Sequence, residues 1–341
     1  MTHVVAMKLG KLEVSPTGFG CMGMTAFYGP AMANSDGVAL LQAVHSAGCT
    51  HFDTAEAYQQ FGGAIEGTFH FNEELVGTFL RTLPRESYTI ATKFAPRLHQ
   101  GKCDYETVSA AVDASLARLG LEAVDLYYCH RPPETVELLE EWMASIARVV
   151  ASGRVRHVGL SEVPPSWLRR AHAVHAVACV QQEWSLLTRN LEKELVPTCV
   201  ELDVGVVAYS PLARSLLTTT SGGPPKDWRS DHPRFADEAN LIANRALAAE
   251  VATLAEAKGC SAAQLCLAWL THRAASLGVG AIAIPGTTKV ANALSNIAAH
   301  GVRLSDEDAA SLEMIGATVA GARANDAYLQ AALEGTGSSP Q

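Results

Sequence analysis

An aspartate, a tyrosine, a lysine and a histidine stand at or just past the ends of three short apolar runs. Asp53 and Tyr58 lie in His51-Phe52-Asp53-Thr54-Ala55-Glu56-Ala57-Tyr58, Lys93 closes Tyr88-Thr89-Ile90-Ala91-Thr92-Lys93, and His130 closes Val124-Asp125-Leu126-Tyr127-Tyr128-Cys129-His130. A phenol with an ordinary pKa of about 10 is a poor proton donor at neutral pH unless its ionisation is eased. An ammonium beside it favours the phenolate and lowers its pKa, while a carboxylate keeps that ammonium charged and in place. With a histidine to orient a carbonyl oxygen, the set is a general acid for an oxygen that gains negative charge. Taken singly, each residue has a structural reading: the aspartate as a helix cap, the lysine as a surface charge, the tyrosine as packing. The conjunction is what singles them out.

Each run reads as a short strand whose polar residue sits where a parallel α/β barrel places its chemistry. Strand candidates fall at 19–22, 51–55, 89–93, 125–130, 157–161, 179–183, 205–210 and 281–285, which is the barrel number. Helical patterns at 36–47, 72–80, 104–119, 136–152, 165–175 and 192–202 alternate with them, as repeated βα units require. Between the seventh and eighth strands, 211–280 carries a Pro/Gly-rich loop, Ser221-Gly222-Gly223-Pro224-Pro225, and an extra helical segment at 240–258 and 261–272. A last helix at 305–316 opens on Ser305-Asp306-Glu307-Asp308, an acidic turn suited to the helix dipole. The expected fold is a single-domain α/β protein, a (β/α)8 TIM barrel over 1–334 with a disordered tail at 335–341.

Composition narrows the function classes. The 341 residues are 48% apolar with a formal net charge of −9, and no stripe of Lys and Arg could neutralise a nucleic-acid backbone. Residues 1–16 lack an apolar leader core, and no run of about 18 apolar residues occurs, so a cytoplasmic protein without a membrane partner is expected. The eight cysteines form no C-x-x-C pair, which argues against both a zinc site and a disulfide framework. Cys129 adjoins His130 but would face the other side of the strand, so a thiol nucleophile is not expected there. His172 and His175 lack a second pair of ligands, and no metal site is expected.

Gly18-Phe19-Gly20-Cys21-Met22-Gly23 matches the dinucleotide fingerprint G-x-G-x-x-G. A true fingerprint opens directly into a helix, whereas Tyr28-Gly29-Pro30 follows here without apolar periodicity. The segment reads instead as a first barrel strand whose glycines let a cofactor or a neighbouring backbone come close.

Asp53, Tyr58 five residues later, Lys93 and His130, at successive strand ends, resemble the catalytic tetrad of the aldo-keto reductase family. The resemblance spans about Leu9 to Gly316, with the pieces in family order. It implies reduction of an aldehyde or ketone by NADPH, bound in extended form across the barrel top without a Rossmann domain. Ser161 and Gln181 match positions that hold the nicotinamide carboxamide, and Tyr209 matches the ring that stacks on the nicotinamide. Gly23, Met24 and Asp53, the run Ser210-Pro211-Leu212, and Ile284-Pro285-Gly286-Thr287-Thr288-Lys289 with Asn292 and Asn296 match further cofactor contacts. The last group resembles the grip on the 2′-phosphate and adenine, for which a hydroxyl, backbone N–H groups and a lysine are suited. Three positions depart from the family: Glu162 stands where many members have Asn, Asn292 where Arg is common, and Ser295 where Glu is common. Without that Arg a bidentate phosphate partner is missing; the expectation is a moderate preference for NADPH, with NADH usable. Residues 59–71 exceed the family's short loop and are expected to shape the substrate mouth, with Phe27, Tyr28, Trp184 and Trp228 as pocket candidates.

Two other readings compete. Lys93 could form a Schiff base in an aldolase-like barrel, although Asp53 would keep it charged. A cofactor-sensing regulatory subunit resembling the potassium-channel β subunits would share the fold, although an intact tetrad weighs against pure sensing.

Overall fold

The computed structural model describes residues 6–60, 63, 65–325 and 329. Phe61, Gly62 and Ala64 of the expected mouth loop, and the expected tail at 335–341, lie outside the described residues.

Strands β1 (Met7–Leu9) and β2 (Leu12–Val14) form an antiparallel hairpin that the sequence reading did not anticipate. Eight parallel strands follow in chain order: β3 (Phe19–Gly20), β4 (His51–Asp53), β5 (Thr89–Phe94), β6 (Val124–Cys129), β7 (Val155–Ser161), β8 (Val177–Glu183), β9 (Gly205–Tyr209) and β10 (Ala281–Ala283). The sheet curls until its ends meet. Thr17 pairs in parallel with Ala283, and Gly18 N–H donates to the Ala283 carbonyl at 2.9 Å.

Glycine is required at that seam. A Cβ on Gly20 would lie 2.7 Å from the Ile284 carbonyl oxygen, and one on Gly286 would lie 2.5 Å from the Gly20 carbonyl oxygen. Of the two explanations offered for the glycine-rich stretch, close approach of a neighbouring backbone accounts for Gly20.

The barrel interior is filled by Ala91, Leu126, Tyr128, Cys179, Val207, Ile282 and Ile284, and Leu9, Leu12 and Val14 of the hairpin join that cluster from the N-terminal end of the strands. The outward faces of the strands pack under helices α1 (Asn34–Ser46), α2 (Asn72–Leu80), α3 (Tyr105–Leu119), α4 (Val136–Ala151), α5 (Pro165–Val174), α6 (Leu195–Glu201), α7 (Pro233–Ala236), α8 (Glu238–Ala257), α9 (Ala262–Ser276), α10 (Val290–Ile297) and α11 (Asp306–Gly316). Local chemistry sets many ends. Asp104 caps α3 by accepting Thr107 N–H at 2.9 Å, and Gly120, at φ +66°, stops it. Ser261 with Gln264, and Ser305 with Asp308, box α9 and α11. Among the described residues, no helix is long and apolar enough to cross a membrane and no group of three or more His, Cys, Asp or Glu is placed to hold a metal.

Candidate active site

Asp53 ends β4, Lys93 lies next to the end of β5, and His130 follows β6 directly, so three parallel strands deliver three side chains to one rim. Lys93 is fully buried. Its ammonium hydrogen-bonds Asp53 Oδ1, donates to the Thr54 carbonyl at 2.7 Å, and donates to the Tyr58 hydroxyl oxygen at 3.3 Å. Those bonds occupy the three ammonium protons, which fixes the group in position. The Tyr58 and His130 rings meet edge to face, 5.5 Å between centroids.

The loop carrying Tyr58 is held from three sides. Asn72, fully buried at the start of α2, donates its backbone N–H to the Tyr58 carbonyl at 2.8 Å, accepts from Thr54 Oγ1 at 2.7 Å, and donates Nδ2 to the Cys21 carbonyl at 2.9 Å. Glu56 accepts Ala95 N–H at 2.6 Å, clipping this loop to the one after Lys93. Beyond Tyr58, Gln59 bridges to Phe71 and Gln60 N–H donates to the His70 carbonyl at 2.9 Å, so the described part of the long loop begins as a short ladder.

Electrostatics differ in one respect from the sequence expectation. Burial, helped by Asp53, raises the Tyr58 pKa by more than Lys93 lowers it, so the phenol stays protonated at neutral pH. Burial opposes the charge on Lys93, yet Asp53 and Tyr58 hold its pKa above the usual lysine value. A lysine held charged in this way is a poor Schiff-base nucleophile. His130 is kept neutral, its pKa well below the usual value, by burial and by the cations Arg131, Lys93 and Arg97. The Cys129 thiol faces away, bonded to the Arg131 carbonyl at 3.2 Å, and burial pushes its pKa up.

Ser161 and Gln181 end up beside the tetrad. Gln181 Nε2 donates to Asp53 Oδ2 at 2.7 Å, and Ser161 Oγ accepts from Arg131 at 3.2 Å. Tyr209, at the end of β9, is partly exposed and donates its hydroxyl to Glu162 at 2.7 Å. After it the backbone turns left-handed at Ser210, Ala213, Arg214 and Ser215, with Pro211 buried and Leu212 partly so. Such turns bring successive N–H groups together as anion cradles. Thr288, Lys289 and Asn292 are exposed at the start of α10, Thr287 is partly exposed, and Asn296 is buried on the same helix. Gly23 has open space around it, with Tyr28 Cδ2 the nearest atom to a built Cβ at 3.6 Å. The Met24 and Ile284 side chains are buried in core clusters.

The pocket candidates separate. Phe27, at φ +70°, sits edge-on to Tyr58 at 6.5 Å, and Tyr28 sits edge-on to Trp228 at 5.5 Å, joining the loop after β3 to the long segment after β9. Trp184 is not at the mouth. It is fully buried in the outer core, its indole N–H donating to Glu192 at 3.1 Å, because the strand has ended and its ring fills space under the helices. Sequence reading missed Arg131. It follows His130, donates to the His130 carbonyl at 2.8 Å, and lies 5.9 Å from the Tyr209 ring centre. A cation directly after a strand-end histidine was the available signal.

Comparison with known proteins agrees in fold and in length. A profile of the Aldo/keto reductase family matches residues 18–317. A probable aldo-keto reductase 1 of Glycine max is 40% identical over 318 residues, covering 90% of this chain and 87% of the relative. Among solved structures, an aldo-keto reductase from Klebsiella pneumoniae in complex with NADPH is 27% identical with a TM-score of 0.69, over 91% of this chain and 95% of that one. The glycerol dehydrogenase of Gluconobacter oxydans, 24% identical with a TM-score of 0.77, shares the fold over 94% of this chain and 97% of its own.

Proposed function

The chain belongs to the aldo/keto reductase family, and from the site it carries we propose that it reduces aldehydes or ketones to alcohols with NADPH, using Tyr58 as the proton donor. The observation that carries the reading is the buried ammonium of Lys93, shared among Asp53, the Thr54 carbonyl and the Tyr58 hydroxyl.

The residues fit a nicotinamide dinucleotide. Tyr209 offers a ring face, Ser161 and Gln181 offer a hydroxyl and a carboxamide beside it, the left-handed turn at 213–215 offers backbone N–H groups for phosphate, and Lys289 offers a charge at the start of α10. When bound, this cofactor supplies the hydride that reaches the carbonyl carbon. The chain's own residues handle the oxygen. His130, neutral, orients it; Tyr58 passes its hydroxyl proton to it as negative charge develops; Lys93 stabilises the phenolate that remains; Asp53 holds Lys93 charged. Phe27, Tyr28 and Trp228 wall the approach with aromatic surface, which favours aromatic or aliphatic aldehydes over sugars.

The test is the loss of NADPH absorbance against a panel of carbonyl compounds. Tyr58→Phe keeps cofactor binding and loses about a hundredfold or more in turnover, the scale of positioned acid catalysis. Undiminished turnover in that variant refutes the role of Tyr58, and cofactor binding without turnover in the unmodified protein favours a sensing subunit. Because Asn292 cannot chelate a 2′-phosphate, the ratio of kcat/KM for NADPH to that for NADH is moderate. A ratio above about a thousandfold, or about 4 kcal/mol, would overturn this.

A further inference from the structure

Beyond α11 the chain returns to the barrel rim at Arg323. Its guanidinium is buried and donates Nη2 to Glu162 Oε2 at 2.6 Å, and Nη1 to Glu183 Oε2 at 3.2 Å and to the Tyr209 hydroxyl oxygen at 3.3 Å. Glu162 and Glu183 are each 1% exposed at the side chain. The second guanidinium of the cluster, Arg214, pairs with Glu183 at 3.0 Å and donates to the Arg323 carbonyl at 3.0 Å. Two buried carboxylates thus meet the guanidiniums of Arg323 and Arg214 at the hydroxyl end of Tyr209.

Glu162 is the pivot. It adopts φ +59°, a conformation that a non-glycine residue keeps only where its surroundings over-determine it. One carboxylate oxygen takes Arg323, and the other takes the Tyr209 hydroxyl at 2.7 Å. A tyrosine at a partly exposed strand end would otherwise sample several rotamers, and ordering it would weaken any ligand that stacks on it. Anchored at its far end, the ring presents one face.

We propose that Arg323 is a positioning residue of the cofactor site, setting the orientation of the Tyr209 ring through Glu162, so that the segment after α11 helps to build the nicotinamide platform. This rests on the cofactor reading above. It separates from a purely structural role by a cycle of variants, because Tyr209→Phe keeps the ring and deletes only the anchored oxygen.

The dissociation constant of NADP+ is measured by quenching of protein fluorescence for the unmodified protein, Tyr209→Phe, Arg323→Met and the double variant, with a thermal melt of each. Each single change weakens NADP+ about fivefold to tenfold, and the double variant is no weaker than the worse single, since both break one linkage. Multiplying losses would show that Arg323 acts on binding independently of the Tyr209 hydroxyl, and unchanged dissociation constants beside a lowered Tm would show that it only ties down its own segment; either overturns the proposal. Arg323→Met strands two carboxylates; if it does not fold, Arg323→Gln with Glu162→Gln takes its place in the cycle, judged by the same outcomes. Failure of the unmodified protein to bind NADP+ sinks the cofactor reading and this inference together. Binding with unaffected variants sinks the inference alone.

Discussion

At the scale of single residues, burial and hydrogen bonding decide what each titratable group does. His51, one turn of the pleat before Asp53 on β4, is fully buried, and its pKa is lowered to about 4, chiefly by that burial. Its Nδ1 lies 2.8 Å from Thr89 Oγ1, while Nε2 has no partner among the described residues. The unfolded chain binds a proton at His51 below its ordinary pKa of about 6.5, and the folded chain does not until about 4, so stability falls as pH drops through that window. Between about pH 7 and pH 5 this removes about 2 kcal/mol. Urea melts at both values, on the unmodified protein and on His51→Gln, check it: the variant has the shallower pH dependence, and equal slopes refute the assignment. That Asp53, Lys93 and His130 come to one rim with Tyr58 was legible in sequence, because three of them end or directly follow short apolar runs and the fourth follows one of these by five residues. The net rise of the Tyr58 pKa was not, since it depends on how completely the phenol leaves water, and spacing says nothing about that.

At the scale of elements, the eight barrel strands lie where alternation of apolar runs and helical patterns puts them. The hairpin β1–β2 was illegible. Three-residue strands are too short to show a period, and Lys8, Lys11 and Glu13 read as an exposed lead-in. Helix α10 was read only as a phosphate-gripping segment, because Asn292, Ser295 and Asn296 are weak helix formers and Lys289 makes no side-chain cap bond. The Trp184 misplacement has a similar origin: an aromatic past a strand end can turn to the mouth or to the helices, and Glu192 under the helices decides it. The seam between β3 and β10 belongs to this scale too. Gly20→Ala drives a methyl to 2.7 Å from the Ile284 carbonyl oxygen, where backbone rather than a flexible side chain must yield. We expect a loss of about 1–3 kcal/mol, in line with overpacking elsewhere. An unchanged urea midpoint would mean that the seam opens freely.

At the scale of the whole molecule, Asp53, Lys93 and His130 gather at one rim and the β1–β2 hairpin packs at the other. Leu9 is fully buried, in the cluster that fills the inside of the barrel, and its Cα would lie 2.6 Å from a Cβ on Gly205. Leu9→Ala therefore leaves a cavity at the N-terminal end of the strands, with an expected cost of about 2–5 kcal/mol. Because the tetrad is at the other end, KM and kcat measured well below the melting range stay near those of the unmodified protein. A large change in kcat without loss of stability would show that the two rims are coupled. The seam also governs assembly. Thr17 and Ala283, the bridge that shuts the barrel, come from distant parts of the sequence, so closure waits until β10 has left the ribosome. Until then β3 and β9 carry open edges, which are templates for mispairing with other chains, and pairing over such separations is slow. The exposed interval for this chain is thus the time between synthesis of the first barrel strand and arrival of the last, when the open edges have no partner strand.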